Sequence, residues 1–148
     1  MRKISFIVAL LAVLTSCNNH PTAKAVYQAS QAYSRQLQAE ADSLIQVISL
    51  WNKTNPDNKF AIEKGGLWGY DFNLQAMQHS LAWWGRKVQD KEMEEKAQKD
   101  IQNFSRWIVK TESNFHSHIG DYNEWWSEQE KKIFDDEEAE IKEAEYIP

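Results

Sequence analysis

The sequence predicts an all-α protein, a helical bundle of three long helices. Glycine and proline are rare, with five and three occurrences in 148 residues, so few positions interrupt a helix. Residues with high helix propensity (Glu, Gln, Lys, Ala and Leu) are common, and runs of β-branched residues are absent. Apolar residues also recur at helical spacing over several long segments, which is the strongest sequence signal for helix.

The first helix is predicted to begin after Thr22, a suitable N-cap that follows Pro21. Its inner face is a heptad seam whose members recur at alternating steps of four and three: Val26, Ser30, Tyr33, Leu37, Glu40, Leu44, Val47 and Trp51. Such a seam packs either inside its own chain or against a partner helix, and we expect packing inside the chain. A turn over residues 52–59 should end this helix, because it contains Asn55-Pro56-Asp57.

The middle of the chain is compatible with one long helix or with two. One apolar stripe consists of Leu74, Met77, Leu81, Trp84 and Val88, and a second of Met93, Ala97, Ile101, Phe104, Ile108 and Phe115. The second stripe lies about 170° around a continuous helix from the first. Residues 89–100 are strong helix formers and favour continuity, whereas a helix over 71–116 would be about 69 Å long and overhang its neighbour. We expect the continuous helix, and four helices if it breaks near residue 90.

The last helix is predicted to begin at Asp121, which has capping-box spacing to Glu124. Tyr122, Trp126, Gln129 and Ile133 mark its expected inner face. Its end is acidic, with seven Asp and Glu residues against one lysine over 135–145. The residues expected to form the core are Leu37, Leu44, Leu81, Trp84, Ile101, Phe104, Ile108, Trp126 and Ile133.

The first sixteen residues have the plan of a secretory signal peptide. Arg2 and Lys3 form a positive head, the run from residue 4 to 14 is almost wholly apolar, and small residues follow. The run is too short for a membrane span, which needs roughly 20 apolar residues. We therefore expect residues 1–16 to be a signal peptide.

The segment Leu14-Thr15-Ser16-Cys17 resembles the lipobox of bacterial lipoproteins. The resemblance implies that Cys17 is lipidated on sulfur, that the preceding peptide is removed, and that the new amino terminus is acylated. Acyl chains such as palmitate would anchor the chain to a membrane. In enteric bacteria, an Asp after the lipidated cysteine is the signal that retains a lipoprotein in the inner membrane. Asn18 follows Cys17 here, so the resemblance implies placement in the outer membrane, with the protein facing the periplasm. The alternative is a plain secretory peptide with an accidental cysteine.

Residues 17–21 would then form a lipidated tether and residues 22–148 a single helical domain. The tether beyond the cysteine spans only on the order of 15 Å, so the domain should stay close to the membrane. Removing Arg2 and Lys3 changes the formal charge from −5 to −7, and no basic stripe occurs, which argues against nucleic acid as a partner. Lipidation of the single cysteine would exclude a disulfide.

Few residues suggest catalysis, and we expect neither a cofactor nor an enzymatic activity. Glu112, His116, His118 and Asp121 are close in sequence and are weak candidates for a metal site, although polar residues at a helix end explain them as well. Glu40 lies on the apolar seam and is either a functional acid or an ordinary paired carboxylate. No serine nucleophile elbow and no dinucleotide fingerprint occur.

The seven tryptophans are the most unusual feature of the composition. Trp83-Trp84 and Trp125-Trp126 are adjacent pairs, and neighbours on a helix point about 100° apart. Trp84 and Trp126 fit the apolar stripes, so Trp83 and Trp125 are the binding candidates, together with Trp68 in a glycine-rich segment. Alternatively, both members of a pair pack between neighbouring helices.

These observations predict a membrane-anchored, non-enzymatic lipoprotein that binds another envelope protein. It is similar to small helical immunity, exclusion or secretion-accessory lipoproteins in general plan only. The alternative is a glycan- or peptidoglycan-binding module that uses exposed tryptophan, and a small hydrolase is the third class.

Overall fold

In the computed structural model, which describes residues 20–61 and 66–144, the described part of the chain forms four α-helices. They are α1 (Ala23–Thr54), α2 (Gly66–Arg86), α3 (Lys91–Ile119) and α4 (Tyr122–Ala144). Of residues 66–68, 134 and 137–144 only the backbone is described. No strand occurs in these ranges, and the predicted all-α helical bundle is confirmed. Within the same ranges, no helix has the length and apolar character needed to cross a membrane.

α1 begins and packs nearly as the sequence predicts. The Thr22 side chain accepts a hydrogen bond from the Ala25 amide at 3.1 Å, which is the expected N-cap contact. The residues most deeply buried on α1 are Ser30, Ser34, Leu37, Ala41, Leu44, Ile48 and Trp51. Of the eight predicted seam positions, four are therefore correct, three are displaced by one residue, and Val26 at the start of the helix is only half-buried. Tyr33, Glu40 and Val47 are half-buried beside it, because a helix that contacts two neighbours buries a stripe wider than one heptad seam.

The end of α1 is closed by side chains that bond the turn after it. The Trp51 indole N–H donates to the Asn58 carbonyl at 2.8 Å. The Asn52 amide both donates to the Phe60 carbonyl at 3.2 Å and accepts from the Phe60 amide at 2.7 Å. These three bonds hold residues 58–60 against the last turns of α1.

The preferred prediction of one continuous middle helix is wrong, because the chain turns at residues 87–90. Asp90 caps the new helix: its carboxylate accepts the backbone N–H groups of Glu92 and Met93 at 3.1 and 3.2 Å. On the other side of the turn, the Trp84 indole N–H donates to the Val88 carbonyl at 3.1 Å. The part of the chain that the structure describes thus has four helices, as expected for a break near residue 90.

The turn between α3 and α4 lies where the sequence places it. Gly120 has φ = 84°, a left-handed conformation that favours glycine, and its amide bonds the His116 carbonyl at 3.0 Å. Asp121 then accepts the Glu124 amide at 3.0 Å, which confirms the predicted cap.

Contacts divide the chain into two compact units, residues 1–111 and 112–148, and the boundary falls inside α3. Within the first unit α1 and α3 run parallel. Gln98 donates to Ser30 at 2.8 Å. Tyr33, about one turn after Ser30, is hydrogen-bonded to Ser105, about two turns after Gln98, so both helices advance in the same direction.

α2 runs antiparallel to α1 in the first unit. Near its start, the Tyr70 hydroxyl donates to Asp42. Near its end, the Trp84 ring meets the Tyr27 ring edge-on, with centroids 5.1 Å apart. The first unit is consequently an up-down-up arrangement of three helices.

The core of the first unit contains apolar side chains from all three helices: Leu37, Ala41, Leu44, Ile48, Met77, Leu81, Trp84, Ala97, Ile101, Phe104 and Ile108. All seven core residues predicted for this unit are among them. The two predicted for α4 are wrong, since Trp126 is only half-buried and Ile133 is 48% exposed. The α4 residues that are buried instead are Trp125 and Gln129.

Candidate binding surface

Trp83 and Trp84 occupy opposite environments, as their sequence positions predict. Trp84 is completely buried, whereas 59% of Trp83 is exposed. α2 buries Met77, Leu81 and Trp84 on one face, and the rotation of about 100° between neighbours carries Trp83 off that face. The expectation that Trp83 lies on the surface is met.

Trp83 belongs to a row of exposed rings along α2. Phe72, His79 and Trp83 follow at steps of seven and four, so they lie within about 20° of one line parallel to the helix axis. Phe72 is 56% exposed and His79 is also exposed. With the exposed Gln75 and Arg86 beside them, these residues form what we call the outer face of α2. It is about 16 Å long from Phe72 to Trp83.

The outer face of α2 has the chemistry of a contact surface. Two large apolar rings are bordered by an imidazole, an amide and a guanidinium, which supply hydrogen-bond donors around an apolar centre. Exposed aromatic side chains of this kind anchor protein interfaces, and their flat faces also stack on sugars. The opposite side of the same helix is fixed in the core, so the surface is held on a rigid element.

The second tryptophan pair has the reverse orientation from the one predicted. Trp125 is 9% exposed, and its ring meets Phe115 at 89° with centroids 6.5 Å apart. Trp126 is the half-buried member, and its indole N–H donates to Glu130 at 2.8 Å. The prediction of Trp125 as an exposed binding residue is wrong. The reason is that Trp125 and Trp126, three and four residues after Tyr122, both suit a helical face that includes Tyr122.

The second unit instead contains a ladder of rings. His116 stacks on Tyr122 with centroids 4.1 Å apart and planes at 17°, and Trp126 lies parallel to Tyr122 at 6.3 Å. Burial raises the pKa of Tyr122, and the negative charges of Glu112 and Glu130 raise it further. The ladder joins the end of α3 to the start of α4, so it stabilises the turn between them.

The weak metal candidates have structural roles in this ladder and its cap. His116 is stacked on Tyr122, and Asp121 caps α4. Across residues 20–61 and 66–144, no three His, Cys, Asp or Glu side chains come close enough to hold a metal ion together. Glu112, His116, His118 and Asp121 therefore do not assemble into a ligand set.

Glu40, the acid on the predicted seam, is half-buried on α1. Its charge acts on Tyr33. Burial is the main cause that raises the pKa of Tyr33, and Glu40 adds to it, whereas the hydrogen bond with Ser105 lowers it. The surroundings of Glu40 are thus those of a residue at the edge of the packed bundle.

A polar cluster between α2 and α3 was not foreseen from the sequence. Asp100 is only 5% exposed, yet it accepts a hydrogen bond from Ser80 and two from the Lys96 ammonium at 2.7 and 2.8 Å. Ser80 is itself buried, and its hydroxyl oxygen also lies 2.8 Å from the Ala76 carbonyl oxygen, so its single proton is shared between two acceptors. The signal in the sequence was the position of Asp100 beside Ala97, Ile101 and Phe104, with a lysine one turn earlier.

Two predicted residues are outside what the structure describes. Cys17 precedes the first described residue, and the Trp68 side chain is among those not described. Compared with protein-family models, with curated proteins and with solved structures, the chain has no significant match.

Proposed function

We propose that this protein is a non-enzymatic binding protein of the bacterial envelope, anchored through lipid on Cys17 in the outer membrane and facing the periplasm. Its contact surface is the outer face of α2, and its partner is another envelope protein. The anchoring part of the proposal is supported by the signal-peptide plan and the lipobox resemblance of residues 1–17. The binding part is supported by the geometry of α2.

The observation that carries the proposal is the 59% exposure of Trp83 next to the complete burial of Trp84. Exposed apolar surface is unfavourable in water by roughly 25 cal/mol per Å². A tryptophan contributes most to the free energy of binding when a partner covers it, and tryptophans are enriched among the residues that dominate the binding energy of protein interfaces. Phe72, on the same line three turns earlier, extends the apolar surface to the length of a short helix or strand of a partner.

Several polar groups of the types that enzymes use in catalysis have structural partners here. Asp100 joins α2 to α3 through Ser80, and Asp42 joins α1 to α2 through Tyr70. Asp121 is occupied as a helix cap. These assignments favour binding rather than catalysis as the function.

The test is site-specific photo-crosslinking in living cells of the source organism, using the full chain. A photoreactive residue replaces Gln75 on the outer face of α2, and a matched control variant carries it at Gln102, an exposed glutamine on α3. We expect a discrete protein adduct from position 75 that disappears when Trp83→Ala is added. Equal adducts from both positions, or an adduct at 75 that survives Trp83→Ala, would contradict the proposal.

The alternative function, glycan binding, would use the same Trp83 ring, and a second measurement distinguishes it from protein binding. Purified protein is sedimented with peptidoglycan sacculi, with and without Trp83→Ala. Sedimentation that depends on Trp83, together with no protein adduct at position 75, would assign the outer face of α2 to glycan instead. Protein adducts without sedimentation support the proposal as stated.

A further inference from the structure

The end of the first unit nearest the proposed anchor can be located from two contacts. Ser30 bonds Gln98, and each lies seven residues from the start of its helix, so α1 and α3 begin at the same level. Trp84 packs on Tyr27, which brings the end of α2 to the same place. The first turn of α1 and the turn from α2 to α3 therefore lie side by side, and we call this the tether end.

The tether end presents more positive than negative charge to its surroundings. Its basic residues are Lys24, Arg86, Lys87 and Lys91, all exposed, and its acids are Asp90, Glu92 and Glu94.

Two of these acids are much less exposed than the lysines with which they pair. Lys91 pairs with Glu94 at 3.0 Å and Lys87 with Asp90 at 3.9 Å, while Asp90 also caps α3. The two lysine side chains are 81% and 76% exposed, against 22% and 25% for their acidic partners. The cations consequently project beyond the acids.

The chain length between Cys17 and α1 keeps this end near the anchor. Six residues lead from Cys17 to Ala23, a span of about 20 Å at full extension. The far end of α1 is about 48 Å from its start. The tether therefore holds this end of the first unit nearer to the headgroups than the opposite end.

We propose that the tether end binds the headgroup surface of the membrane that holds Cys17, with its lysines and arginine contacting lipid phosphates. The inference rests on the anchoring part of the proposed function. Cationic side chains next to a bilayer are attracted by anionic lipids, which complements the projecting charge. In this orientation the outer face of α2 points sideways along the membrane, where a neighbouring envelope protein can reach it.

The orientation is tested on the mature, lipidated protein in vesicles of phosphatidylethanolamine and phosphatidylglycerol. A fluorophore is attached at Gln89→Cys in the tether end or at Asp57→Cys in the opposite turn, both exposed positions. Lipidation occupies the Cys17 sulfur, so only the introduced thiol reacts. Quenching by lipids with a quencher at headgroup depth should be strong at 89 and nearly absent at 57. Equal quenching at both positions would overturn the orientation.

Charge reversal tests the chemistry of the contact. The double variant Arg86→Glu with Lys87→Glu should remove most of the difference in quenching between the labels at positions 89 and 57. The same change at the opposite end, Lys53→Glu with Lys59→Glu, should leave that difference unchanged. Loss of the difference in both double variants, or in neither, refutes a phosphate contact at the tether end. A protein whose intact mass shows a free Cys17 thiol, and which leaves the vesicles, would overturn the anchoring proposal and this one together. Lipidated protein in which the labels at positions 89 and 57 are quenched equally would overturn only the headgroup contact of the tether end.

Discussion

The hydroxyl of Tyr27 occupies the space that a β-carbon on Gly85 would need. This contact lies beside the edge-on packing of Tyr27 on Trp84, and it sets how closely α1 and α2 approach near the tether end. Gly69 has the corresponding role near the start of α2, where a β-carbon would lie 2.8 Å from the indole nitrogen of Trp107. Two glycines of α2 thus allow aromatic side chains from neighbouring helices to lie against its backbone.

Gly85→Ala should destabilise the protein. On a helix the change normally stabilises by roughly 0.5–1 kcal/mol, but here the methyl group meets the Tyr27 ring and should cost about 1–3 kcal/mol. Thermal unfolding of Gly85→Ala, Tyr27→Ala and the double variant measures this. The two changes should be strongly non-additive, with the double variant no less stable than Tyr27→Ala alone. A higher melting temperature for Gly85→Ala would show that the two helices are not in close contact.

The break between α2 and α3 shows what sequence periodicity can and cannot decide. The two apolar stripes lie about 170° apart on a continuous helix, and this change of phase is what a turn produces when both helices face the same core. Local propensity favoured continuity because residues 89–100 contain no glycine or proline. Asp90, which caps α3, and Val88, whose carbonyl accepts the Trp84 indole N–H, are the residues that make the turn.

The outer face of α2 was half predictable. Trp83 follows from the position of Trp84 on a long apolar stripe, since a stripe of five members fixes the phase of its helix. α4 offers only a few apolar residues before its acidic end, so its phase stayed ambiguous by one residue and Trp125 was assigned to the wrong side. Phe72 and His79 also lie on the side of α2 that this phase leaves exposed, but the tryptophan pairs alone do not point to them.

Asp100→Ala should lower the free energy of unfolding by about 1–3 kcal/mol, because α2 and α3 lose the bond between Ser80 and a buried carboxylate. Asp100→Asn keeps an acceptor for Ser80 and should cost less. Lys96 has 61% of its side chain exposed, so its ion pair with Asp100 is screened and Lys96→Ala should have a small effect. Urea unfolding of the three variants measures the free energy of unfolding that each one loses. Equal losses for Asp100→Ala and Asp100→Asn would mean that the Ser80 bond is unimportant.

Tyr70 should titrate well above the usual range of a tyrosine hydroxyl. Burial, which is the largest cause, raises the pKa of Tyr70 together with the hydrogen bond to Asp42 and the negative charges of Asp42 and Asp71, from 10.0 to about 12 in all. Because the folded pKa lies above the unfolded one, the stabilising contribution is fully present below pH 10 and is lost as the pH rises through about 12. The difference in ultraviolet absorbance between the wild type and Tyr70→Phe isolates this group, and Asp42→Asn should move its midpoint downward. A midpoint near 10 in the wild type would contradict the contact.

Cys17→Ala should leave the precursor uncleaved and should remove the two or three acyl chains that supply the anchoring energy of the mature protein. Intact-mass measurement of the wild type should show diacylglycerol on Cys17 and an acylated amino terminus. Membrane fractionation should place the wild type in the outer membrane, because Asn18 is not an inner-membrane retention residue. An unmodified thiol, or cleavage elsewhere than before Cys17, would refute lipidation.

The two tryptophan pairs provide matched substitutions that separate surface from core. Trp84→Ala and Trp125→Ala should each cost about 3–5 kcal/mol, because buried aromatic rings leave large cavities. Trp83→Ala should change stability by less than about 0.5 kcal/mol, as expected for a side chain that is mostly in water. Trp126→Ala should fall between these limits, since it loses stacking on Tyr122 and the bond to Glu130. Thermal melts of the four variants establish the order. If Trp83→Ala proves as costly as Trp84→Ala, Trp83 is part of the packing and the outer face of α2 loses its central residue. If Trp83→Ala leaves stability unchanged and removes the crosslinked partner, that loss must come from the surface itself.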